Sequence, residues 1–139
     1  MRLSTKGRYA VRAMVDLALH AHEGPVSRAE IAGRQGISAD YIAHLFHRLQ
    51  RAKLIRGVRG RSGGYLLARD PAHIRIGEIV RAVEGPMALT DCTVPGQETV
   101  CPRASRCVTR ALWLKTAQAV AETLDSVTLA DLCRQATES

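Results

Sequence analysis

The 139 residues of this chain are enough for one compact domain, or for a small domain with an added oligomerisation element, and too few for a large multidomain enzyme. Hydrophobic residues make up 46% of the sequence and charged residues 24%, which excludes wholesale disorder, and no apolar run is long enough to span a membrane. Residues 1–85 hold 15 Lys and Arg against 7 Asp and Glu, whereas residues 86–139 hold 5 against 6. The first part therefore has the charge of a module that binds a polyanion.

The first predicted element is a mostly buried helix over residues 5–22, which Gly24-Pro25 ends. Charged or polar side chains at Arg12, Asp16 and His20 interrupt its apolar run. This interruption disfavours a signal peptide, so we expect a cytoplasmic protein. The buried stripe has helical spacing and comprises Ala10, Met14, Leu17, Ala18 and Ala21.

Two short helices joined by a glycine turn are predicted next. Ser27-Arg28-Ala29-Glu30 matches a capping box, which starts a helix that ends near Arg34. Gly36 then supplies the turn, and Ser38 is placed to cap a second helix over about residues 39–52. The inward face of this second helix carries Ile42, Leu45, Phe46 and Leu49, and its outward face carries Tyr41, His44, His47, Arg48 and Arg51. Such a pair is typical of a helix-turn-helix.

A β-hairpin with a basic tip follows the second helix. Residues 54–58 and 65–68 have the composition of two strands, and they flank the glycine-rich segment 59–64. From Arg51 to Arg69, both included, there are six Lys and Arg and no acidic residue. The hairpin therefore has the pattern of the wing in a winged helix. With only three Tyr, one Trp and one Phe to stack on bases, double-stranded nucleic acid is the expected polyanion.

The remaining elements are a short helix, a loop and a long helix. The short helix over residues 76–83 is closed by Gly85-Pro86, and the long one is expected from about Arg103 to Asp125, roughly 35 Å. A segment this small cannot bury the apolar stripe of the long helix, which predicts a two-fold homodimer of paired helices. A last short helix includes Cys133, which we expect in the core. The stripe comprises Trp113, Ala117, Val120, Ala121 and Leu124.

Three cysteines, Cys92, Cys101 and Cys107, have C-x8-C-x5-C spacing in the loop before the long helix. In a reducing compartment, such a group indicates metal or redox chemistry rather than disulfides. Structural zinc sites usually contain closely spaced cysteine pairs, which this spacing lacks, whereas thiolates spread along a loop can surround an iron–sulfur cluster. The spacing favours an iron–sulfur cluster over zinc or another metal, redox-active thiols, and inert cysteines.

Motifs along the whole chain resemble a known bacterial family. They are the segment MRLSTKGRYA at residues 1–10, RGRSGGY at residues 59–65, the three cysteines, and TRALW at residues 109–113. In this ordered combination they resemble the bacterial winged-helix regulators that include the iron–sulfur cluster regulator IscR, the nitric-oxide-responsive repressor NsrR and the iron regulator RirA.

The resemblance implies a mainly α-helical fold with a small β-hairpin, in which a winged helix-turn-helix precedes a long dimerisation helix. It also implies a homodimer on palindromic promoter DNA, with one cluster per subunit ligated by the three cysteines, 2Fe–2S favoured and 4Fe–4S the alternative. Similar members have a histidine ligand three positions after the third cysteine, where this chain has Arg110, which cannot bind iron. Asp91 and Glu98 are candidate fourth ligands, and the alternatives are a partner residue, an external thiol or water.

From these observations we expect DNA binding by residues 1–85, a cysteine-containing cluster loop at 86–107, and a dimerisation helix with a short C-terminal helix at 103–139. The recognition helix is expected to enter the major groove, and the wing to reach a minor groove or phosphates. The expected DNA contacts are Arg2, Lys6, Ser38, Tyr41, His44, Arg48, Arg59 and Arg61.

The expected function is therefore a non-enzymatic transcriptional regulator whose promoter binding is controlled by the cluster, as a sensor of iron, redox state or cluster supply. One alternative is a cluster-free repressor of the same fold that responds to thiol chemistry or nitric oxide. Another, from a different class, is a small iron–sulfur electron carrier. No acid–base pair or nucleophile–histidine arrangement is recognisable, which argues against an enzyme.

Overall fold

A computed structural model describes residues 3–138, which form six α-helices and one β-hairpin. Short 3₁₀ turns lie at residues 21–23, 71–73, 91–93 and 104–106. The longer elements are α1 (Thr5–His20), α2 (Arg28–Gln35), α3 (Ala39–Arg51), β1 (Ile55–Val58), β2 (Gly64–Leu67), α4 (Ile76–Glu84), α5 (Val108–Asp125) and α6 (Leu129–Glu138).

The ends of α2 and α3 are set by the residues that the sequence indicated. The Ser27 hydroxyl accepts a hydrogen bond from the Glu30 amide at 3.1 Å, and Ser38 caps α3 in the same way. Gly36 ends α2 with φ +65°, a left-handed conformation that costs glycine little. These observations confirm the predicted turn, and each involves residues only three or four positions apart.

The core lies where α1, α3 and α4 meet. Each helix contributes apolar residues at helical spacing, and the ring of Phe46 meets that of Tyr65 edge to face, with the centroids 4.8 Å apart. The fully or almost fully buried side chains include Ala10, Ala13, Met14, Leu17, Ile42, Leu45, Phe46, Leu49, Ile76, Ile79, Val80 and Val83. This core confirms the predicted inward face of α3 and most of the predicted stripe of α1.

The hairpin pairs β1 with β2 in antiparallel register, with Ile55 opposite Leu67 and Val58 opposite Gly64. Val26 forms an isolated antiparallel bridge with β2, because its amide and carbonyl exchange hydrogen bonds with Tyr65 at 3.0 and 2.8 Å. The hairpin therefore projects from the same side of the domain as the start of α2. Together with α1 to α4, this arrangement confirms the winged helix-turn-helix and the mainly α-helical fold class.

The long helix begins later than predicted. The sequence indicated a start near Arg103, but residues 104–106 form a 3₁₀ turn and Cys107 has an extended backbone, so α5 begins at Val108. Its 18 residues span about 27 Å rather than 35 Å. Within residues 3–138 no helix is both long and apolar enough to cross a membrane.

Asp16 is a buried carboxylate, 3% exposed, that joins α1 to the helix-turn-helix. The Arg34 guanidinium donates to both of its oxygens at 2.7 to 3.2 Å, and the Gln35 amide donates at 2.9 Å. Burial by itself raises the pKa of Asp16, but these hydrogen bonds and the Arg34 charge outweigh it and leave the pKa below its usual range. The sequence indicated only a break in the apolar run here, because its partners lie 18 and 19 residues away.

We expect Asp16→Ala to lower the free energy of unfolding by about 1.5 to 3 kcal/mol at neutral pH, because it removes charge-assisted hydrogen bonds from a buried position. The exposed Glu23→Ala is the matched control and should change it by less than about 0.5 kcal/mol. Because folding lowers the pKa of Asp16, its contribution to the free energy of unfolding is complete above the unfolded-state pKa. This contribution is lost as the pH falls through the folded-state pKa.

Urea unfolding of the wild type and both variants, from neutral pH down through the pKa of Asp16, measures this contribution. Equal stabilities of the wild type and Asp16→Ala at pH 7 would contradict the prediction.

Candidate nucleic-acid interface and cysteine segment

The outward face of α3 presents polar side chains over its whole length. Its exposed residues recur at helical spacing and comprise Asp40, His44, His47, Gln50 and Arg51. Tyr41 is half-buried on one flank, where its ring meets that of Tyr9 edge to face at 6.0 Å and stacks on that of His44 at 6.4 Å. His47 and Arg51 were not among the expected DNA contacts, although the same periodicity places them beside His44.

Arg48 lies on the flank of α3 that faces α4. Its Nη1 donates a hydrogen bond to the carbonyl oxygen of Val83 at 2.9 Å, so part of the guanidinium is engaged within the protein. Beside it, a surface hollow of about 510 Å³ is lined by His44, His47 and Arg51 together with two alanines. This hollow concentrates positive charge and hydrogen-bond donors along the edge of α3.

The wing carries two exposed arginines, Arg59 and Arg61, at its tip. Neither side chain makes an ion pair or hydrogen bond with any other residue in the range 3–138. A second hollow, of about 410 Å³, lies between the wing and the start of α2, with Arg28 and Gln50 on its wall. Sequence reasoning missed these two residues as candidates, because only the folded hairpin brings them beside Arg59.

The other expected DNA contacts lie close to the start of α1 and of α3. Lys6 is exposed in the first turn of α1, and Ser38 is exposed at the cap of α3. Arg2 lies outside the described residues. The start of α1 borders the start of α3, since Thr5 and Tyr9 line one hollow with Ser38 and Tyr41, and the wing borders the end of α3 at Gln50. We use the name basic surface for the exposed basic side chains of these elements: Lys6, His44, His47, Arg51, Arg59 and Arg61.

Cys107 is the residue immediately before α5, and it ends the stretch 86–107 that we name the cysteine segment. The Thr109 hydroxyl lies 3.0 Å from its sulfur, and this contact, with the amides of Arg110 and Thr109, lowers the pKa of the Cys107 thiol. Hydrogen-bond donors and the positive end of a helix favour the negatively charged thiolate. Thiolate is the form of cysteine that binds metals and reacts with oxidants, and the lowered pKa increases its fraction at Cys107.

Cys92 lies in the 3₁₀ turn over residues 91–93, and Arg110 joins this turn to α5. The Nε of Arg110 donates to the carbonyl oxygen of Cys92 at 3.2 Å, and the Thr90 hydroxyl lies 3.3 Å from the Cys92 sulfur. Cys101 lies between Cys92 and Cys107 in the sequence, and its side chain is half-buried. Arg110, at the position where the resemblance implies a histidine ligand, thus links α5 to the cysteine segment.

The three thiols do not surround a common point. In the described part of the chain no three His, Cys, Asp or Glu side chains are arranged to hold a metal ion. Asp91 is exposed, and Glu98 accepts a hydrogen bond from the Gly96 amide at 3.2 Å. The donor set nevertheless fits an iron–sulfur cluster by its chemistry: three reduced cysteines in one segment, one of them shifted toward thiolate.

Comparison with protein families gives a match over almost the whole chain. The model of the Rrf2 family, described as iron-dependent transcriptional regulators, matches residues 3–135. The HTH-type transcriptional regulator IscR of Sodalis glossinidius is 47% identical over 132 residues, which are 95% of this chain and 78% of that protein. IscR of Yersinia pseudotuberculosis is 45% identical over the same length, 79% of that protein.

Solved structures agree with these sequence matches. The structure of T. potens IscR has a TM-score of 0.79 and 42% identity, and the match covers 98% of this chain and 88% of that one. CymR, the global cysteine regulator of B. subtilis, has a TM-score of 0.77 and 36% identity, with 97% and 98% coverage. These relatives are transcriptional regulators, which confirms a non-enzymatic role and gives no support to an electron carrier. The chain belongs to the Rrf2 family of winged-helix, DNA-binding transcriptional regulators.

Proposed function

We propose that this protein acts in the cytoplasm as a homodimer on palindromic promoter DNA, and that an iron–sulfur cluster held by Cys92, Cys101 and Cys107 controls this binding. The observation that carries the proposal is the position of the cysteine segment. It connects the winged helix to α5 and ends at Cys107, the first residue before that helix. Any change in the order of the segment therefore acts on the connection between the two parts of the protein.

Binding of duplex DNA would use the basic surface. The exposed face of α3 has the dimensions to enter a major groove, where Ser38, Tyr41 and His44 stand nearest the start of the helix. Arg59 and Arg61 would reach a minor groove or phosphates, and Lys6 a phosphate. Arg2 is proposed as a further phosphate contact from its position in the sequence.

Dimer formation is supported by the exposed apolar side chains of α5. Val108 is 86% exposed and Leu112 52%, and Trp113, Leu114 and Val120 are each exposed by 38% or more. Such a row on one helix of a water-exposed protein indicates a partner surface. A second copy in two-fold symmetry would cover it with the same helix and would hold two recognition helices at a fixed spacing.

The three cysteines would hold the cluster in thiolate form. When bound, an iron–sulfur cluster supplies a redox-active, anionic inorganic centre, which iron supply or oxidants can alter. The fourth ligand is proposed among Asp91, Glu98, a partner residue and an external thiol or water. The Arg110 guanidinium would keep the Cys92 turn on α5, next to the thiolates.

A second candidate function, a cluster-free regulator that responds through its thiols, is favoured by one observation. Cys107 is only half-buried, and its pKa is lowered by Thr109 and by backbone amides. A thiol of this kind reacts with oxidants and with nitric-oxide donors more readily than an ordinary cysteine. Iron and sulfide content distinguishes the two candidates.

We expect Arg59→Ala to reduce the salt dependence of DNA binding, because this side chain is free to bind a phosphate. The slope of the logarithm of affinity against that of salt concentration should fall by about 0.9 for each phosphate that the variant no longer neutralises. Arg134→Ala, which removes the same charge from α6, is the control and should keep the wild-type slope. Fluorescence anisotropy on a promoter duplex checks this, and an unchanged slope in Arg59→Ala and Arg61→Ala would contradict the proposed role of the wing.

We expect the protein purified without oxygen to contain iron and acid-labile sulfide, which Cys92→Ala, Cys101→Ala and Cys107→Ala each lose. The matched control is Cys133→Ala, since Cys133 packs against the core away from the cysteine segment. Colorimetric iron and sulfide counts per subunit check the ligands and decide between 2Fe–2S and 4Fe–4S. Wild-type iron and sulfide in all three variants would contradict the ligand assignment, and none in the wild type would favour the thiol candidate.

In the reduced, cluster-free protein we expect iodoacetamide to modify Cys107 before Cys133. Thr109 lowers the pKa of Cys107, whereas burial raises the pKa of Cys133, so at neutral pH a larger fraction of Cys107 is thiolate. Peptide mass spectrometry after limited labelling measures the order. Modification of Cys133 first would show that the hydrogen bonds of Cys107 do not control its reactivity.

A further inference from the structure

We propose that Asp125 and Arg48 are positioning residues for DNA recognition, and that they act through α4, which fixes the recognition helix relative to α5. This inference rests on the proposed use of α3 as the element that reads DNA. Neither residue would contact a base. Their effect would be to hold two helices in the arrangement that lets other side chains do so.

The first connection joins the end of α5 to the start of α4. The Asp125 carboxylate accepts from Nη2 of Arg81 at 2.9 Å and from Nη1 at 3.2 Å, and Arg75 donates to the Asp125 carbonyl. The same carboxylate lies against Gly77, where a methyl group would overlap it. A methyl group at Gly77 would therefore displace the Asp125 carboxylate, which stands at the positive end of α4.

Backbone hydrogen bonds strengthen this connection. The Ile76 amide donates to the Val127 carbonyl at 2.9 Å, and the Leu129 amide donates to the Ile74 carbonyl at 2.8 Å. An ion pair that is about one third exposed contributes little alone. Here the ion pair adds to a contact whose backbone groups are already hydrogen-bonded. The end of α5 and the start of α4 therefore form one unit, which we name the joint.

The second connection joins the end of α4 to α3. The Arg48 side chain extends from α3 toward α4, and its Nη1 donates a hydrogen bond to the Val83 carbonyl at 2.9 Å. Val83 lies in the last turn of α4, where the carbonyl oxygens have no partner within the helix. A cationic donor at this end also suits the helix dipole. Arg48 therefore fixes α3 against rotation and sliding on α4.

The two connections lie at opposite ends of a helix of only nine residues. Its buried face packs in the core, so α4 cannot bend between them without disturbing that packing. The cysteine segment joins α5 at its first residue. A tilt of α5 that starts at this end would be transmitted through α4 to α3. Arg48 belongs to this path, although its charge suggested a direct DNA contact.

The test compares affinity for a duplex that the wild-type protein selects from a random pool with affinity for a random duplex of equal length, in about 50 to 200 mM salt. We expect Arg48→Met to lower the ratio of the two affinities about ten-fold and to keep the wild-type salt slope. Arg51→Met, which removes the same charge from the exposed face of α3, should instead lower the slope. A lower slope with an unchanged ratio in Arg48→Met would overturn the positioning role.

Asp125 is tested separately in the same assay. Asp125→Asn and Gly77→Ala should both lower the affinity ratio with an unchanged slope, because each disturbs the same joint. Glu122→Gln, whose carboxylate accepts a hydrogen bond from Gln118 one turn away on α5, should leave both quantities unchanged. An unchanged affinity ratio in Asp125→Asn and Gly77→Ala would overturn the role of the joint. If thermal unfolding shows that Arg48→Met is unfolded, these two variants alone decide whether the positioning role holds.

Failure of the proposed function would look different. If the wild-type protein bound the selected and random duplexes equally, or without salt dependence, the reading of DNA by α3 would be wrong. If the wild type is selective and salt-dependent but the variants keep its ratio, only the positioning role is wrong.

Discussion

The buried face of α4 is the surface on which the rest of the molecule is assembled. Four of its side chains, at Ile76, Ile79, Val80 and Val83, are at most 5% exposed and pack in the core with α1 and α3. Because its two ends also receive Asp125 and Arg48, the helix is fixed in position and rotation. The DNA-binding part and α5 therefore meet on one fixed helix, in addition to the cysteine segment that joins them along the chain.

This constraint gives the uneven charge of the sequence a structural meaning. Part of the excess positive charge of residues 1–85 lies exposed on the wing, on α3 and at the start of α1, at Arg59, Arg61, Arg51 and Lys6. The nearly neutral remainder contains the cysteine segment, which follows the end of α4 in the chain, and α5, whose last residue Asp125 contacts the start of α4. Under the proposed function, a polyanion would bind the first part while the three cysteines act on the second.

Features that depend on neighbouring residues could be predicted from the sequence. Ser27, Gly36 and Ser38 define the helix-turn-helix because caps and glycine turns involve residues three or four positions apart. The start of α5 could not be placed in this way, since the 3₁₀ turn before it has no distinct periodicity. Periodicity also could not show that Asp16 is buried, because its partners Arg34 and Gln35 belong to another helix.

The same limit applies to the candidate site. The chain positions of the exposed arginines and of the three cysteines could be predicted, and so could their chemical types. Contacts across the fold could not, because Asp125 and Arg81 lie 44 residues apart and Arg28 meets the wing only once the hairpin has folded. Cysteine spacing also does not determine whether three thiols meet, since that depends on the path of the loop between them.

The most direct measurement compares one anaerobic preparation before and after the cluster is removed, by titration into promoter duplexes with varied half-site spacing. We expect the affinity or the preferred spacing to change, with an affinity change of about 5- to 150-fold, the range typical of coupled sites. The Cys92→Ala variant should behave like the cluster-free protein. Equal affinities and equal spacing preference in both states would contradict control of DNA binding by the cysteine segment.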